Sequence, residues 1–266
     1  MYREFYGFRE KPFTKTPDPR FLYHSKGHQE ALARLQYVVE ERELALLTGD
    51  IGCGKTTISR ALMDTMGSAY RFCFVFNPRL TAMEFLRVIA RSLFLENPPP
   101  AKDDLLQEIT DALFRFHGDG ICPVIVIDEA QLIPDREIFD EIRLLTNFQL
   151  DDKNLLSVVV MGQPELRKIL GAPIYEPFRQ RIAINYHLQP LDLVETLEYL
   201  DFRIEIAGGP AGIFTPDAVQ RIFELSGGVP RRINLIATNA LLEGFGRNAS
   251  VIDADIVDDL RHELSI

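Results

Sequence analysis

Residues Gly49-Asp50-Ile51-Gly52-Cys53-Gly54-Lys55-Thr56 place three glycines, a lysine and a hydroxyl in the spacing G-x-x-x-x-G-K-T. Glycines let successive backbone N–H groups turn inward around an anion, and a helix starting directly after them adds its positive end to the same site. In such a loop Lys55 reaches the β- and γ-phosphates of a nucleoside triphosphate, and the Thr56 hydroxyl ligates Mg²⁺, with Thr57 beside it in the first helical turn. The competing reading is an ordinary glycine-rich turn with an incidental lysine. Cys53 reads as a spectator of the loop; the sharper alternative is a redox-sensing thiol acidified by nearby loop amides.

A second acidic centre lies 73 residues after Lys55, where Val124-Ile125-Val126-Ile127 runs into Asp128-Glu129. In a parallel sheet the carboxyl ends of the strands share one edge, so Asp128 is expected beside the phosphate loop. There it would hold Mg²⁺, a hard cation that prefers oxygen ligands and keeps several waters. Glu129 is the candidate base for a water attacking the γ-phosphate. The bland alternative is that Asp-Glu caps the next helix. A further apolar run, Leu155 to Met161, leads into Gly162-Gln163, and Gln163 is the candidate for sensing the γ-phosphate or orienting water, against a simple turn or N-cap role. Arg179 and Arg181 end a short helical segment, where a guanidinium either reaches the nucleotide of a neighbouring subunit or is merely solvated.

These residues need a frame. Short apolar runs at 44–48, 71–76, 123–127, 155–161 and, more weakly, 183–188 read as strands. Segments of helical period separate several of them, at 80–94, 103–116 and 137–148. This alternation predicts an α/β domain with a largely parallel sheet. Asn97-Pro98-Pro99-Pro100 is a loop within it. After about residue 190 the pattern turns helical, at 193–207, 216–225, 231–245 and 253–264, with Thr215-Pro216 as a start signal and a glycine-rich loop over 208–212. The expected organisation is an arm and helix over 1–43 packed on the core, an α/β core over 44–190 and a helical lid over 191–266.

The arm crowds Tyr2, Phe5, Tyr6, Phe8, Phe13, Phe21 and Tyr23 around Pro12, Pro17 and Pro19, ahead of a helix over 27–41. Aromatics dominate buried area, so packing onto the core is expected. An alternative is that part of the arm walls a nucleotide base, with His28 near the entrance. Twenty-nine Lys and Arg against 39 Asp and Glu give a net charge of −10. Residues 1–48 carry +1 and the remainder −11, without the basic tail usual in nucleic-acid binding. No run approaches the roughly 18 apolar residues of a membrane span. Charges near the N-terminus argue against a signal peptide. Three cysteines, Cys53, Cys73 and Cys122, cannot all pair and have no metal-knuckle spacing, which points to a reducing cytoplasm.

Taken together, these residues resemble the AAA+ ATPases, and more narrowly the ExeA/GspA group of secretion-associated ATPases, which includes the MSHA-pilus protein. The resemblance spans nearly the whole chain: Phe5-Tyr6-Gly7-Phe8, Pro12-Phe13, Thr16-Pro17-Asp18-Pro19-Arg20-Phe21-Leu22-Tyr23, Ile127-Asp128-Glu129-Ala130-Gln131, Arg143-Leu144-Leu145-Thr146-Asn147-Phe148, Gly162-Gln163-Pro164-Glu165-Leu166 and Gly227-Gly228-Val229-Pro230-Arg231-Arg232-Ile233-Asn234. It implies a P-loop sheet in the order 5-1-4-3-2, a C-terminal helical lid and a nucleotide between them. It also matches Arg231 to the sensor-2 arginine, Gln163 to sensor 1, and Arg181, with Arg179 as alternate, to the arginine finger. Longer members carry a transmembrane segment and a peptidoglycan-binding region; the sequence ends at Ile266 and is expected to lack them.

Three functions compete at this level. One is a Mg-dependent ATPase, oligomeric as a ring or filament, that assembles or remodels a secretion or type IV pilus machine, in the cytoplasm or held at the inner membrane by a partner. Another is a DNA-associated regulator like the MuB, TnsC and TniB transposition ATPases, which share this core. The third is a nucleotide-switched scaffold that scarcely turns over.

Overall fold

The computed structural model describes residues 1–14, 19–21, 23–93, 96–150 and 153–263. Thr16, Pro17, Asp18 and Leu22 of the arm motif, and the expected helix ends Phe94 and Leu264, lie outside the described residues. The chain divides into two compact units. One comprises Met1–Gly27, Asp50–Thr57 and Gln189–Ile266; the other comprises His28–Gly49 and Ile58–Leu188.

The second unit is built on five parallel strands: β1 (Leu44–Gly49), β2 (Tyr70–Val75), β3 (Cys122–Ile127), β4 (Ser157–Gly162) and β5 (Ile182–Leu188). They lie in the order β2-β3-β4-β1-β5, which is the expected 5-1-4-3-2 arrangement. The inner strands β1, β3 and β4 are buried at all six positions, as strands covered on both faces must be, which explains their continuous apolar runs. Edge strands β2 and β5 mix buried and accessible positions. The register is fixed by pairs such as Ala45↔Val159, Ile127↔Val160 and Gly49↔Leu188. A short helix, α1 (Tyr2–Phe5), lies in the first unit; helices α2 (Lys26–Glu40), α3 (Lys55–Met66), α4 (Ala82–Ser92), α5 (Lys102–Gly118) and α6 (Arg136–Leu145) supply most of the remaining core. Phe85, Leu86, Ile109, Leu113, Ile138 and Phe139 of α4, α5 and α6 join β-strand residues in one cluster. Two short helices, α7 (Pro164–Leu170) and α8 (Glu176–Arg179), lead into β5.

The other unit packs α9 (Leu193–Ile206), α10 (Pro216–Ser226), α11 (Pro230–Gly246) and α12 (Ala254–Glu263). Each of the first two starts with a capping side chain, Asp192 accepting from the Glu195 N–H and Thr215 from the Ala218 N–H. The N-terminal arm belongs to this unit, which corrects the expectation that residues 1–43 pack together on the α/β core. Tyr6, Phe8, Phe13 and Phe21 lie in the same buried cluster as Leu200, Ile204, Ile236 and Ile252. Polar contacts fix the docking. Buried Arg203 donates from Nε to the Pro12 carbonyl at 2.7 Å, and its guanidinium sits 4.7 Å from the Phe21 ring centroid. The Arg9 N–H donates to the Ala207 carbonyl at 2.8 Å, and the Tyr6 hydroxyl to Ala249 at 2.9 Å. Gly209 leaves room for Phe8: a Cβ there would lie 2.3 Å from its ring. These aromatics are consumed by the lid core, so the idea that the arm walls a base fails for them. His28 is buried within α2 and belongs to the α/β unit instead.

Candidate functional site

The phosphate loop begins where β1 ends. Gly49 sits at the tip of β1 opposite Leu188, and a Cβ at Gly49 would lie 2.8 Å from the Leu188 carbonyl oxygen. Asp50 and Ile51 are exposed, and Gly52 (φ +87°) and Gly54 (φ +99°) adopt the left-handed conformations that turn the loop. The Cys53 N–H donates back to the Asp50 carbonyl at 3.2 Å. The buried Lys55 ammonium donates to the same carbonyl at 3.0 Å. Lys55, Thr56 and Thr57 open α3, whose N-terminal amides face the loop's end of the helix. Cys53 is fully buried, and burial, with Asp50 adding to it, pushes its thiol up to about 11. Both burial and the raised pKa disfavour the thiolate on which redox sensing depends.

Arg231 is held on this loop by its own unit. Gly227 (φ +61°) ends α10 and Gly228 (φ +71°) passes so close to Leu191 that any side chain would collide with its carbonyl. Pro230 then takes the first position of α11, where its missing N–H costs nothing. The next residue, Arg231, donates its N–H to the Gly52 carbonyl at 3.3 Å. Its stem covers Gly52: a Cβ built there would lie 2.5 Å from Arg231 Cβ and 3.2 Å from its Cδ. Arg232 instead donates to the Leu225 carbonyl at 2.6 Å.

The α/β unit gathers Asp128, Glu129 and Gln163 at the strand edge where β1 ends. Asp128 is buried, donates its N–H to Val75 at 3.0 Å and accepts the Glu129 N–H on Oδ1 at 2.8 Å. Glu129 has φ +52° and ψ +37°, a left-handed conformation that is costly for a residue with a Cβ and is typical of sites where geometry serves function. It precedes only a three-residue turn and makes no side-chain cap, so the helix-capping alternative does not hold; α6 begins later, after Asp135. Since Ile127 pairs with Val160, Glu129 falls level with the end of β4. Its Oε2 accepts from Gln163 Nε2 at 3.0 Å and from Gln131 Nε2 at 2.5 Å. Gln163 occupies the N-cap position of α7 without a side-chain capping bond, because that side chain is turned to Glu129. Gln131 was carried by the sequence only as a letter in a motif. Its second contact, accepting the Gln163 N–H on Oε1 at 3.0 Å, depends on strand register and leaves no spacing signal.

The two finger candidates separate. Arg179 is engaged locally: it donates to the carbonyls of Leu170 and Ala172 and pairs with Glu176. Arg181 is exposed and immediately precedes β5, at the end of the sheet away from Gly49 and Gln163. Seven residues of strand separate it from that edge, roughly 20 Å at about 3.3 Å per residue. It therefore does not join Glu129. An open, largely polar cavity of about 800 Å³ lies at this far edge, lined by Arg42, Tyr70, Cys122, Lys153 and Arg181 among others, and contains none of the phosphate-loop residues.

A loop with left-handed glycines, a following helix N-terminus and a buried lysine fits the phosphates of a nucleotide, and the Thr56 hydroxyl in one unit and the Asp128 carboxylate in the other are each an oxygen of the hard kind that Mg²⁺ takes. Residues 39–170 match the family model described as an AAA domain. With the sheet order and the phosphate loop, this makes the chain a P-loop NTPase of the AAA+ family. General secretion pathway protein A of Aeromonas hydrophila is 40% identical over 260 residues, covering 96% of this chain and 47% of that protein. Within the AAA+ family the chain belongs with the ExeA/GspA group. An uncharacterised HTH-type transcriptional regulator of Methanocaldococcus jannaschii is 26% identical over 152 residues, 56% of this chain and 36% of the relative. The chain thus spans about half or less of the curated relatives it matches. Among solved structures it shares its fold with Cdc6p from Pyrobaculum aerophilum (TM-score 0.68, 19% identity, 89% of this chain and 68% of that one). It also shares it with the Aeropyrum pernix ORC1 protein in complex with DNA (0.67, 21%, 97% and 70%). The RuvB Holliday junction branch migration motor of Thermotoga maritima is similar as well (0.60, 17%, 89% and 69%). Among the described residues no helix is long and apolar enough to cross a membrane.

Proposed function

We propose that the protein is an oligomeric ATPase that binds Mg·ATP at the phosphate loop and hydrolyses it to drive assembly or remodelling of a bacterial secretion or type IV pilus machine. The observation that carries this reading is the convergence of Asp128, Glu129 and Gln163 on the sheet edge where β1 ends in Gly49 and the phosphate loop begins. The amides of residues 50–54 and the Lys55 ammonium hold the β- and γ-phosphates, and Arg231 supplies a guanidinium from the lid. Thr56 and Asp128 would hold Mg²⁺, which neutralises charge on the phosphate oxygens when bound. Glu129 takes a proton from water as its oxygen bonds to the γ-phosphorus and the bond to the β–γ bridging oxygen breaks, leaving ADP and phosphate. Gln163 reads or orients at the same position. Arg181, too far from its own strand edge, acts on a neighbouring subunit's nucleotide.

The secretion setting is supported by 40% identity to a protein named for that pathway, whereas the DNA-bound neighbour is similar in fold at 21% identity. On this reading the protein works on the cytoplasmic side of the inner membrane through a partner. Phosphate release by wild type and Lys55→Ala tests the enzyme: turnover by the variant at the wild-type rate would overturn the assignment. Light scattering with ADP, with a non-hydrolysable ATP analogue, and with the analogue plus duplex DNA tests the assembly. Growth on the analogue alone is expected; growth that requires DNA would favour the transposition-type regulator.

A further inference from the structure

Gln131 is bonded at both ends of its amide to the machinery proposed for water activation. Its Nε2 donates to Glu129 Oε2 at 2.5 Å, and its Oε1 accepts the backbone N–H of Gln163 at 3.0 Å. The Gln163 side chain closes the circuit by donating to the same Glu129 oxygen at 3.0 Å. A hydrogen-bonded ring thus joins the end of β3 to the end of β4 through three half-buried side chains. The ring has been given space: a Cβ at Gly162 would lie 2.9 Å from Gln131 Oε1 and 2.7 Å from Leu166 Cδ2. Glu129 also needs restraint, since its left-handed backbone conformation is not one a glutamate keeps without neighbours that fix it.

We infer that Gln131 is a positioning residue, which aims the Glu129 carboxylate at the attacking water and ties its orientation to Gln163. One amide does both because its donor and acceptor ends are about 2.3 Å apart and point to different partners. The tie makes the base responsive. Any ligand that draws the Gln163 side chain away removes its donor from Glu129 Oε2, while Gln131 keeps the carboxylate in place. This inference rests on Glu129 being the base.

Two variants separate the ends of the amide. Gln131→Met keeps the length and removes both bonds; Gln131→Glu keeps an acceptor for the Gln163 N–H and replaces the donor with a second carboxylate. Both should lower kcat roughly tenfold to a hundredfold while KM and the affinity for a non-hydrolysable ATP analogue stay within about twofold, as expected when a reacting group is misplaced without loss of binding. Hydrogen exchange at the Gln163 amide gives a readout independent of turnover: it should quicken in Gln131→Met and stay protected in Gln131→Glu. Wild-type kcat in both variants, with Glu129→Gln inactive, would overturn the role of Gln131 and leave the base in place. Wild-type kcat in Glu129→Gln would instead remove the base itself. A loss of analogue affinity matching the loss of kcat would show Gln131 to be structural and also overturn the inference.

Discussion

The stem of Arg231 lies across Gly52, and the Arg231 N–H donates to the Gly52 carbonyl at 3.3 Å. A residue of the lid and a residue of the phosphate loop therefore constrain each other: the loop needs a glycine there for its φ of +87° and again because a Cβ would lie 2.5 Å from Arg231 Cβ. Gly52→Ala should strain the backbone by about 1–2 kcal/mol and displace Arg231 as well. The expected result is a loss of nucleotide affinity of roughly tenfold or more, since 1.4 kcal/mol is a factor of ten. Gly67→Ala is the control, with φ +72° and nothing within 4 Å of the added Cβ. It should lower thermal stability and leave affinity, measured by titration with a fluorescent ATP analogue, unchanged.

Arg203 anchors the N-terminal arm. It is buried, bonds the Pro12 carbonyl at 2.7 Å and lies within 6.0 Å of the ring centroids of Phe13, Phe21 and Tyr199. Replacing it with Met keeps much of the volume but leaves that carbonyl without its charged donor and ends the cation–π contacts. The expected cost is about 2–3 kcal/mol, read from denaturant midpoints. Limited proteolysis should cut the variant in the arm before it cuts the sheet unit. Uniform cleavage across the chain would show that the arm is not held as a separate cooperative element.

The arm also shows what the sequence left hidden. Its aromatics are conspicuous, but Pro12 and Arg203 are 191 residues apart, and no local period tells which apolar helices will receive them. The strands were legible in proportion to their burial. β1, β3 and β4, buried throughout, read as unbroken apolar runs, whereas β5 exposes alternate positions at an edge and leaves only a weak signal. The phosphate loop and Asp128-Glu129 were visible because their chemistry is packed into consecutive residues. Gln131 was not, because its role depends on Ile127 pairing with Val160, which brings Gln163 within its reach.

All three cysteines are buried, and burial pushes each thiol up to about 11 from an ordinary 9.0. A thiol-specific chromogenic reagent at pH 8 should therefore find no rapidly reacting group in the native protein and three after denaturation. The same shifts predict a sign for stability. The native state retains protons that the unfolded chain releases, so the contribution is whole below about pH 9 and is lost as the pH rises toward 11. Denaturant midpoints measured from pH 8 to 10.5 should fall, and replacing Cys73 by Ala should flatten part of that decline. One thiol titrating rapidly in the native state at pH 8 would contradict the burial of whichever cysteine is labelled.

Arg179 and Arg181 should fail in different ways. Arg179 donates to the carbonyls of Leu170 and Ala172 at the end of α7, so Arg179→Ala is expected to cost about 1–2 kcal/mol of stability and lower activity only in step with folding. Arg181 is exposed at the far end of β5, and Arg181→Ala should leave the melting temperature within about a degree while reducing turnover by roughly a thousandfold, the scale of an arginine finger. The decisive measurement mixes Arg181→Ala with Glu129→Gln subunits, each inactive alone. In an equimolar, head-to-tail assembly about a quarter of interfaces join an intact Glu129 to an intact Arg181, so activity should return toward that fraction. The signal depends on exchange, so subunits are mixed before nucleotide is added, and mixing of either variant with itself sets the baseline. No recovery in a mixture that light scattering shows to have assembled would rule out Arg181 as the residue acting across the interface.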